Sequence, residues 1–152
     1  MVAVTSQIDA NSEAFAANRA SMMSFVERLR ALEARASEVS AKRWATFEKR
    51  GQLLPIDRLY RLLDPGMPFL RLHTLANFAV DNPDQEASIP GASVMVGIGF
   101  VGGVRCMIWV DDSGIAAGAM TTKTGEVATS LQEICKRQKL PLIHLVESAG
   151  AN

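Results

Sequence analysis

Two runs of very small residues could bind a ligand through their main chain. The first, residues 113–119, contains Ala117, Gly118 and Ala119, and the second is residues 148–152. Each run follows an apolar segment that is typical of a buried strand. A backbone without bulky side chains allows a ligand to approach closely, and its N–H groups can donate to an oxygen atom. A close-packed turn is the alternative interpretation of each run.

Few side chains in this sequence are typical of catalytic groups. His144 lies inside the apolar run LIHLV and His73 in another strand-like run, where a lone histidine is usually a hydrogen-bonded scaffold residue. Lys123 follows the first small-residue run at a predicted helix start, where it could meet a phosphate or be an ordinary surface lysine. Asp111 and Asp112 have no partners at metal-ligand spacing. We therefore predict no catalytic side chain and no metal site in this chain.

The elements that position these runs follow an α/β order. Apolar residues at steps of three and four predict one long amphipathic helix, or two, before Gly51, and Pro55 opens a short helix. We interpret FLRLHTLANFAV as a strand. SVMVGIGFV and VRCMIWVDD are predicted strands that a hairpin turn joins at Gly102 and Gly103. A helix over KTGEVATSLQEICKRQK and a strand LIHLVE complete a layered core, with the later strands buried on both faces.

Composition limits the classes of partner. Sixteen Lys and Arg residues balance 16 Asp and Glu residues, so the formal charge is zero and gives no electrostatic argument for nucleic acid or an anionic membrane. No run approaches the roughly 20 apolar residues of a membrane span, and the first residues lack a signal-peptide pattern. The two cysteines, Cys106 and Cys135, lack a metal-binding spacing and are predicted to be reduced thiols, as in the cytoplasm.

Three successive stretches of the sequence resemble one known family. They are KRGQLLPIDRLYRLLDPGMPFLRL, IPGASVMVGIGFVGGVRCMIWVDDSGIAAGAMTTKT and LQEICKRQKLPLIHLVESAGAN. Their order, with a Leu-Leu-Asp-Pro-Gly turn, a Gly-x-Gly strand and a Glu-Ser-x-Gly-Ala loop, is similar to the carboxyltransferase (beta) subunits of biotin-dependent acyl-CoA carboxylases. The propionyl-, methylcrotonyl- and geranyl-CoA types have the most similar pattern. The resemblance covers residues 42–152.

The resemblance implies a crotonase-like fold built from β-β-α units, here incomplete and preceded by N-terminal helices. Residues 1–50 would be the N-terminal helical segment, and residues 51–152 the first part of a carboxyltransferase N-terminal domain. It further implies that the chain stops inside an active-site loop and that these residues alone are inactive. The compartment would be the bacterial cytoplasm, or the mitochondrial matrix in a eukaryote.

The resemblance also implies a chemistry and a set of partners. In the family, an acyl-CoA enolate takes the carboxyl group from carboxybiotin, and main-chain N–H groups rather than a side-chain base support the reaction. The partners would be acyl-CoA, a biotin carboxylase/biotin carrier subunit that holds the biotin, and further copies of the full-length subunit in a homo-oligomer. The residues that match CoA-binding positions are Ala117, Gly118, Ala119, Lys123, Ser148, Ala149, Gly150, Ala151 and Asn152.

Two other functions fit the same residues. One is a decarboxylase subunit of the same fold, which runs the chemistry in reverse. The other is a noncatalytic module that docks onto a partner subunit through its helices. The sequence departs from the family pattern at Ala149, where a glycine is usual, and at residues 120–122, where methylcrotonyl-type subunits have an aromatic-containing stretch. The acyl group is therefore not predicted.

Overall fold

The computed structural model describes residues 5–80 and 82–150, and it confirms the predicted α/β class. By residue contacts the chain divides into two compact units, Met1–Leu32 and Glu33–Asn152, with the division inside the first helix. The helices are α1 (Glu13–Ala41), α2 (Trp44–Lys49), α3 (Pro55–Leu62) and α4 (Thr122–Gln138). The strands are β1 (Leu70–Leu72), β2 (Val94–Val101), β3 (Val104–Asp111) and β4 (Leu142–Leu145), and a single 3₁₀ turn spans Ala116–Gly118.

The four strands form one mixed sheet in the order β1-β2-β3-β4. The first three strands pair antiparallel, and β4 pairs parallel to β3 after the α4 crossover. The predicted hairpin between β2 and β3 is confirmed: Val101 pairs with Val104, and both intervening glycines have positive φ, +58° and +77°. A two-residue turn with two positive φ angles matches the right-handed twist of its strands, which is why two glycines stand there.

The core lies on both faces of the sheet. Ile108 and Val110 of β3 pack with Leu59 of α3 on one face, because residues two apart along a strand point the same way. Met107 and Trp109 alternate with them and pack on the other face against Val127 and Leu131 of α4. The predicted burial of β3 on both faces is therefore confirmed.

Two predicted features of the strands are wrong. β1 contains only three residues, because the chain turns at His73, which has a φ of 55°, and stays in turns up to residue 80. β4 is not buried on both faces: its residues alternate between exposed and half-buried, and Leu142 is 46% exposed. The reason is its place in the sheet, since among the described residues no strand pairs with the outer edge of β4.

Candidate functional site

The two small-residue runs form neighbouring loops. We call residues 113–119 loop 1 and residues 148–150 loop 2; Ala151 and Asn152, also predicted to bind, lie outside the described residues. Loop 1 follows β3 and leads into α4, and loop 2 follows β4. Because β3 and β4 are parallel neighbours, both loops leave the same edge of the sheet, where ligands bind in open α/β sheets.

Main-chain hydrogen bonds join the two loops. The N–H of Ala149 donates to the carbonyl oxygen of Ala117 at 3.1 Å, and the N–H of Met120 donates to the carbonyl oxygen of Gly150 at 2.9 Å. The structure therefore brings together residues that are some thirty positions apart in the sequence. Loops 1 and 2 form one surface instead of two separate turns.

Gly118 lets loop 2 pass directly over loop 1. Its φ is +69°, and a Cβ atom there would collide with the carbonyl oxygen of Glu147 and lie 3.3 Å from the Cα of Ser148. An L side chain would meet both a backbone conformation that favours glycine and a backbone atom that cannot move away easily. Glycine at this position is thus required by packing between the loops, whatever the ligand.

Six of the described loop amides already have acceptors inside the protein; those of Gly114 and Ile115 donate to Asp112 at 3.1 and 3.0 Å. Besides Ala149, Gly118 donates to the carbonyl of Ile115 at 2.9 Å, Ala119 to that of Ala116 at 3.0 Å, and Gly150 to the Ser148 hydroxyl at 3.1 Å. The simple expectation that these loops present free N–H groups is therefore wrong for these six residues. The amides hold the loops in shape, and contact with a ligand would rest on the small side chains and on what lies beside them.

Cavities lie on both sides of loop 1. The first has a volume of about 240 Å³ and is lined by residues that include Arg43, Arg50, Ser113 and Ala117; we call it the arginine cavity. The second has a volume of about 380 Å³, and we call it the apolar cavity. Its lining includes Val80, Ile89, Ala92, Ile115 and Lys123. Ala116 lines both cavities, so loop 1 is the wall between them.

Lys123 lies at the start of α4, as predicted, but its ammonium group forms an ion pair. Its ammonium group is paired with the carboxylate of Glu126, one turn further along the helix. A capping box fixes this helix start: the Thr121 hydroxyl accepts from the N–H of Thr124 and the Thr124 hydroxyl accepts from the N–H of Thr121, both at 3.2 Å. Lys123 therefore contributes mainly its aliphatic stem to the apolar cavity.

Asp111 is a buried hub beneath loop 2. Its Oδ1 accepts from Trp109 Nε1 at 2.7 Å and lies 3.0 Å from His144 Nε2, while its Oδ2 accepts from the N–H of Glu147 at 3.0 Å. The hydrogen bond that the sequence predicts for His144 is present, and its role as a scaffold residue stays a prediction. Sequence reasoning considered Asp111 only as a metal ligand and missed this role, although an acidic residue at the end of an apolar strand was the available signal.

Arg58 connects α3 to the same hub. Its Nη2 donates to the carbonyl oxygen of Asp111 at 2.9 Å and lies 2.6 Å from the carboxylate of Glu147. Both side chains of this ion pair are largely buried, so solvent screens the pair less than it would an exposed one. Glu147, which precedes loop 2, is thus held by its amide and by its side chain. Contacts with Asp111 and Arg58 therefore fix where loop 2 begins.

Asp112 anchors the start of loop 1. Its Oδ1 accepts from the Ser40 hydroxyl at 2.7 Å and from the N–H of Gly114 at 3.1 Å. Burial raises the pKa of the Asp112 carboxyl, and the two hydrogen bonds and the charges of Arg58 and Arg71 only partly offset this effect. The folded chain therefore favours the neutral form of this side chain more strongly than water does.

We expect this raised pKa to make stability fall as the pH rises. The Asp112 carboxyl binds its proton more tightly in the folded chain than in the unfolded chain, where its pKa is about 3.9. The contribution of this proton to stability is therefore complete below about pH 4 and is lost as the pH rises through the pKa of the folded chain. The variant Asp112→Asn keeps an acceptor and cannot ionise. Urea unfolding of both chains between pH 4 and 7 should show that the free energy of unfolding of the variant rises relative to that of the parent as the pH rises. A pH-independent difference would contradict this account.

A comparison with models of protein families shows which family the chain belongs to. Residues 47–152 match the family described as the carboxyl transferase domain. The chain belongs to the carboxyl transferase family. The family resemblance of the sequence is thereby confirmed, and loops 1 and 2 and the Asp111 hub lie within the matched residues.

Two curated relatives cover 95% and 67% of this chain. It is 36% identical over 148 residues to the mitochondrial methylcrotonoyl-CoA carboxylase beta chain of Arabidopsis thaliana, and it spans 24% of that protein. It is 40% identical over 102 residues to the 3-methylcrotonyl-CoA carboxylase beta1 subunit of Mycobacterium tuberculosis, of which it spans 18%. The chain thus spans about a quarter or less of the length of these relatives.

A solved structure shows the same fold. The beta subunit of P. aeruginosa geranyl-CoA carboxylase superposes with a TM-score of 0.89 at 40% sequence identity, over 99% of this chain and 28% of the other. The predicted crotonase-like fold of the carboxyl transferase domain is confirmed. Among the described residues, no helix is long and apolar enough to cross a membrane.

Proposed function

We propose that this carboxyl transferase chain forms part of the CoA-binding region of a carboxyltransferase subunit in a biotin-dependent acyl-CoA carboxylase. The observation that carries the proposal is the pairing of loops 1 and 2 at the ends of β3 and β4, with a cavity on each side of loop 1. Small residues at this edge leave room for a long, narrow ligand.

The proposed CoA site uses the residues that the sequence singled out. The apolar cavity accepts an apolar or planar part of the coenzyme, beside the stem of Lys123. The stretch Ala117–Ala119 and the stretch Ser148–Gly150 form the floor along which the thioester arm runs. Ala151 and Asn152, which follow loop 2 in the sequence, are further candidate contacts in the proposal.

In the proposed reaction the chain positions the acyl thioester. Carboxybiotin, carried by a biotin carboxylase/biotin carrier subunit, supplies the carboxyl group when it is bound. The contribution of this chain is to hold loops 1 and 2 rigidly through Asp111 and Arg58, so that the thioester lies in one orientation. The proposal includes assembly with further copies of the subunit, in a bacterial cytoplasm or a mitochondrial matrix.

The affinity for CoA tests the proposed site. Ala117 is exposed on loop 1 and lines the arginine cavity, so Ala117→Leu should fill the path of the ligand and weaken CoA binding about tenfold or more. Isothermal titration of the 152-residue chain with CoA measures the effect. Ala17→Leu, which adds the same side chain to an exposed position of α1, is the control and should leave the affinity unchanged. Equal effects of the two variants would contradict the site.

A chimera tests the reaction itself. This chain replaces its counterpart in the geranyl-CoA carboxylase beta subunit, and the assembled enzyme is supplied with labelled bicarbonate, ATP and the acyl-CoA of that enzyme. We expect ATP-dependent incorporation of label into the acyl-CoA. ATP-independent release of carbon dioxide from the carboxylated acyl-CoA would favour a decarboxylase instead. An assembled chimera that binds CoA but does neither would favour the interaction module.

A further inference from the structure

Two arginines beside loop 1 form no ion pair with any acidic residue in the described part of the chain. Arg43 precedes α2 and Arg50 follows it, and both line the arginine cavity. The ion pairs found among the described residues involve other side chains, and the lining of the cavity contains no Asp or Glu. Both arginines are exposed to solvent and border one cavity, so an anion in that cavity would be attracted by two positive charges.

A buried hydroxyl group in the same cavity also lacks a partner. The Oγ of Ser113 is shielded from solvent and makes no hydrogen bond with any described residue. Most buried polar atoms in proteins are hydrogen-bonded, so this hydroxyl is available to bond a group that enters the cavity. Thr46 lines the cavity as well, and its hydroxyl group is a second potential donor.

The main chain at this cavity has an unusual conformation. Ala116 and Ala117 both have positive φ, 48° and 53°, although neither is glycine. Residues in such sparsely populated conformations cluster at ligand sites, where the surrounding structure holds them in place. Arginines, unpaired hydroxyl donors and a strained loop without carboxylates are together the features of a site for a phosphate group.

We propose that the arginine cavity binds a phosphate or diphosphate group through Arg43, Arg50 and Ser113. The proposal rests on the proposed function for the identity of the ligand, since CoA carries a diphosphate and a 3′-phosphate. Ala116 lines both cavities, so one CoA molecule can cross loop 1 with its phosphates on the arginine side. Lys123 is less suited to this role because Glu126 already neutralises its charge.

Charge-neutral variants test the arginines. The 152-residue chain is titrated with inorganic diphosphate and with CoA, and Arg43→Gln and Arg50→Gln should each weaken both ligands about tenfold or more. The control is Arg105→Gln, which removes an exposed arginine of β3 and changes the net charge equally. Lys123→Gln should change diphosphate affinity less than threefold. An equal loss in all four variants would reduce the effect to net charge and overturn the site.

Ser113→Ala separates binding from folding. Removal of an unpaired buried hydroxyl should leave the ligand-free chain as stable as the parent or raise its Tm, because no hydrogen bond is lost. The same variant should bind diphosphate several-fold more weakly. A variant whose diphosphate affinity equals that of the parent would overturn the role of Ser113.

The outcomes distinguish this proposal from the proposed function. If CoA binding falls in Ala117→Leu but is unchanged in both arginine variants, the CoA site stands and the phosphate site is wrong. If diphosphate binding depends on both arginines while CoA binds no more tightly than diphosphate, the phosphate site stands and the CoA assignment fails. Failure of diphosphate to bind the parent chain at millimolar concentration would overturn the phosphate site.

Discussion

Gly118→Ala lowers the free energy of unfolding by about 2–5 kcal/mol. Two effects add: a left-handed conformation costs an L residue roughly 1–2 kcal/mol, and overpacking costs typically about 1–3 kcal/mol. The overpacking arises because the new Cβ would meet the carbonyl oxygen of Glu147. Urea unfolding followed by circular dichroism measures the loss, and the loop pairing at Ala149 should weaken with it.

Two other glycines separate these effects. Gly102 has a φ of +58° but open space around its Cα, so Gly102→Ala should show only the backbone cost of roughly 1–2 kcal/mol. Gly125 lies inside α4 with neither a positive φ nor a neighbour within 4 Å, so Gly125→Ala should stabilise the chain by about 0.5–1 kcal/mol. If Gly118→Ala cost no more than Gly102→Ala, the close packing of loop 2 over loop 1 would be refuted.

Asp111→Ala should cost about 3–5 kcal/mol of stability and should loosen loop 2. The buried carboxylate is the acceptor for the Trp109 indole and the Glu147 amide and a hydrogen-bond partner of His144, and a buried donor left unpaired costs roughly 1–3 kcal/mol. Hydrogen exchange should accelerate first at the Glu147 amide. Asp111→Asn keeps one oxygen acceptor and should fall between the parent and the alanine variant.

Asp64→Ala is the matched control for this carboxylate. Asp64 also accepts two main-chain amides, those of Gly102 and Gly103, each at 2.7 Å, but it lies at a solvent-exposed hairpin. Water can replace the lost acceptor there, so we expect a cost of only about 1 kcal/mol and no change in the exchange of loop 2. Similar exchange profiles for Asp64→Ala and Asp111→Ala would show that Asp111 does not position loop 2.

Local chemistry made most of the fold predictable. Gly102 and Gly103 between two β-branched runs fix a hairpin, and the apolar stripe of α4 together with the Leu140-Pro141 break fixes the end of the crossover helix. The pairing of loops 1 and 2 follows from these elements, because parallel neighbours end at the same edge. The residues that form each of these signals are close together in the sequence, so a local sequence pattern is enough to predict the element.

The remaining features depend on contacts between distant segments. Arg43 and Ser113 are seventy positions apart, and nothing local in either segment indicates that they share a cavity. The Asp111 hub depends on the register between β3 and β4, which places Trp109 opposite His144. The exposure of β4 likewise depends on its place in the sheet and not on its apolar sequence. Each of these features can be recognised only in the folded chain.

Backbone amide NMR during a CoA titration tests most directly whether loops 1 and 2 form a coenzyme site. We predict that the largest chemical-shift changes fall on Ala117–Ala119 and Ser148–Gly150, with smaller changes at Lys123, and that all of them saturate together. Saturating changes confined to other segments, such as the exposed part of α1, or no change at millimolar CoA would contradict the assignment.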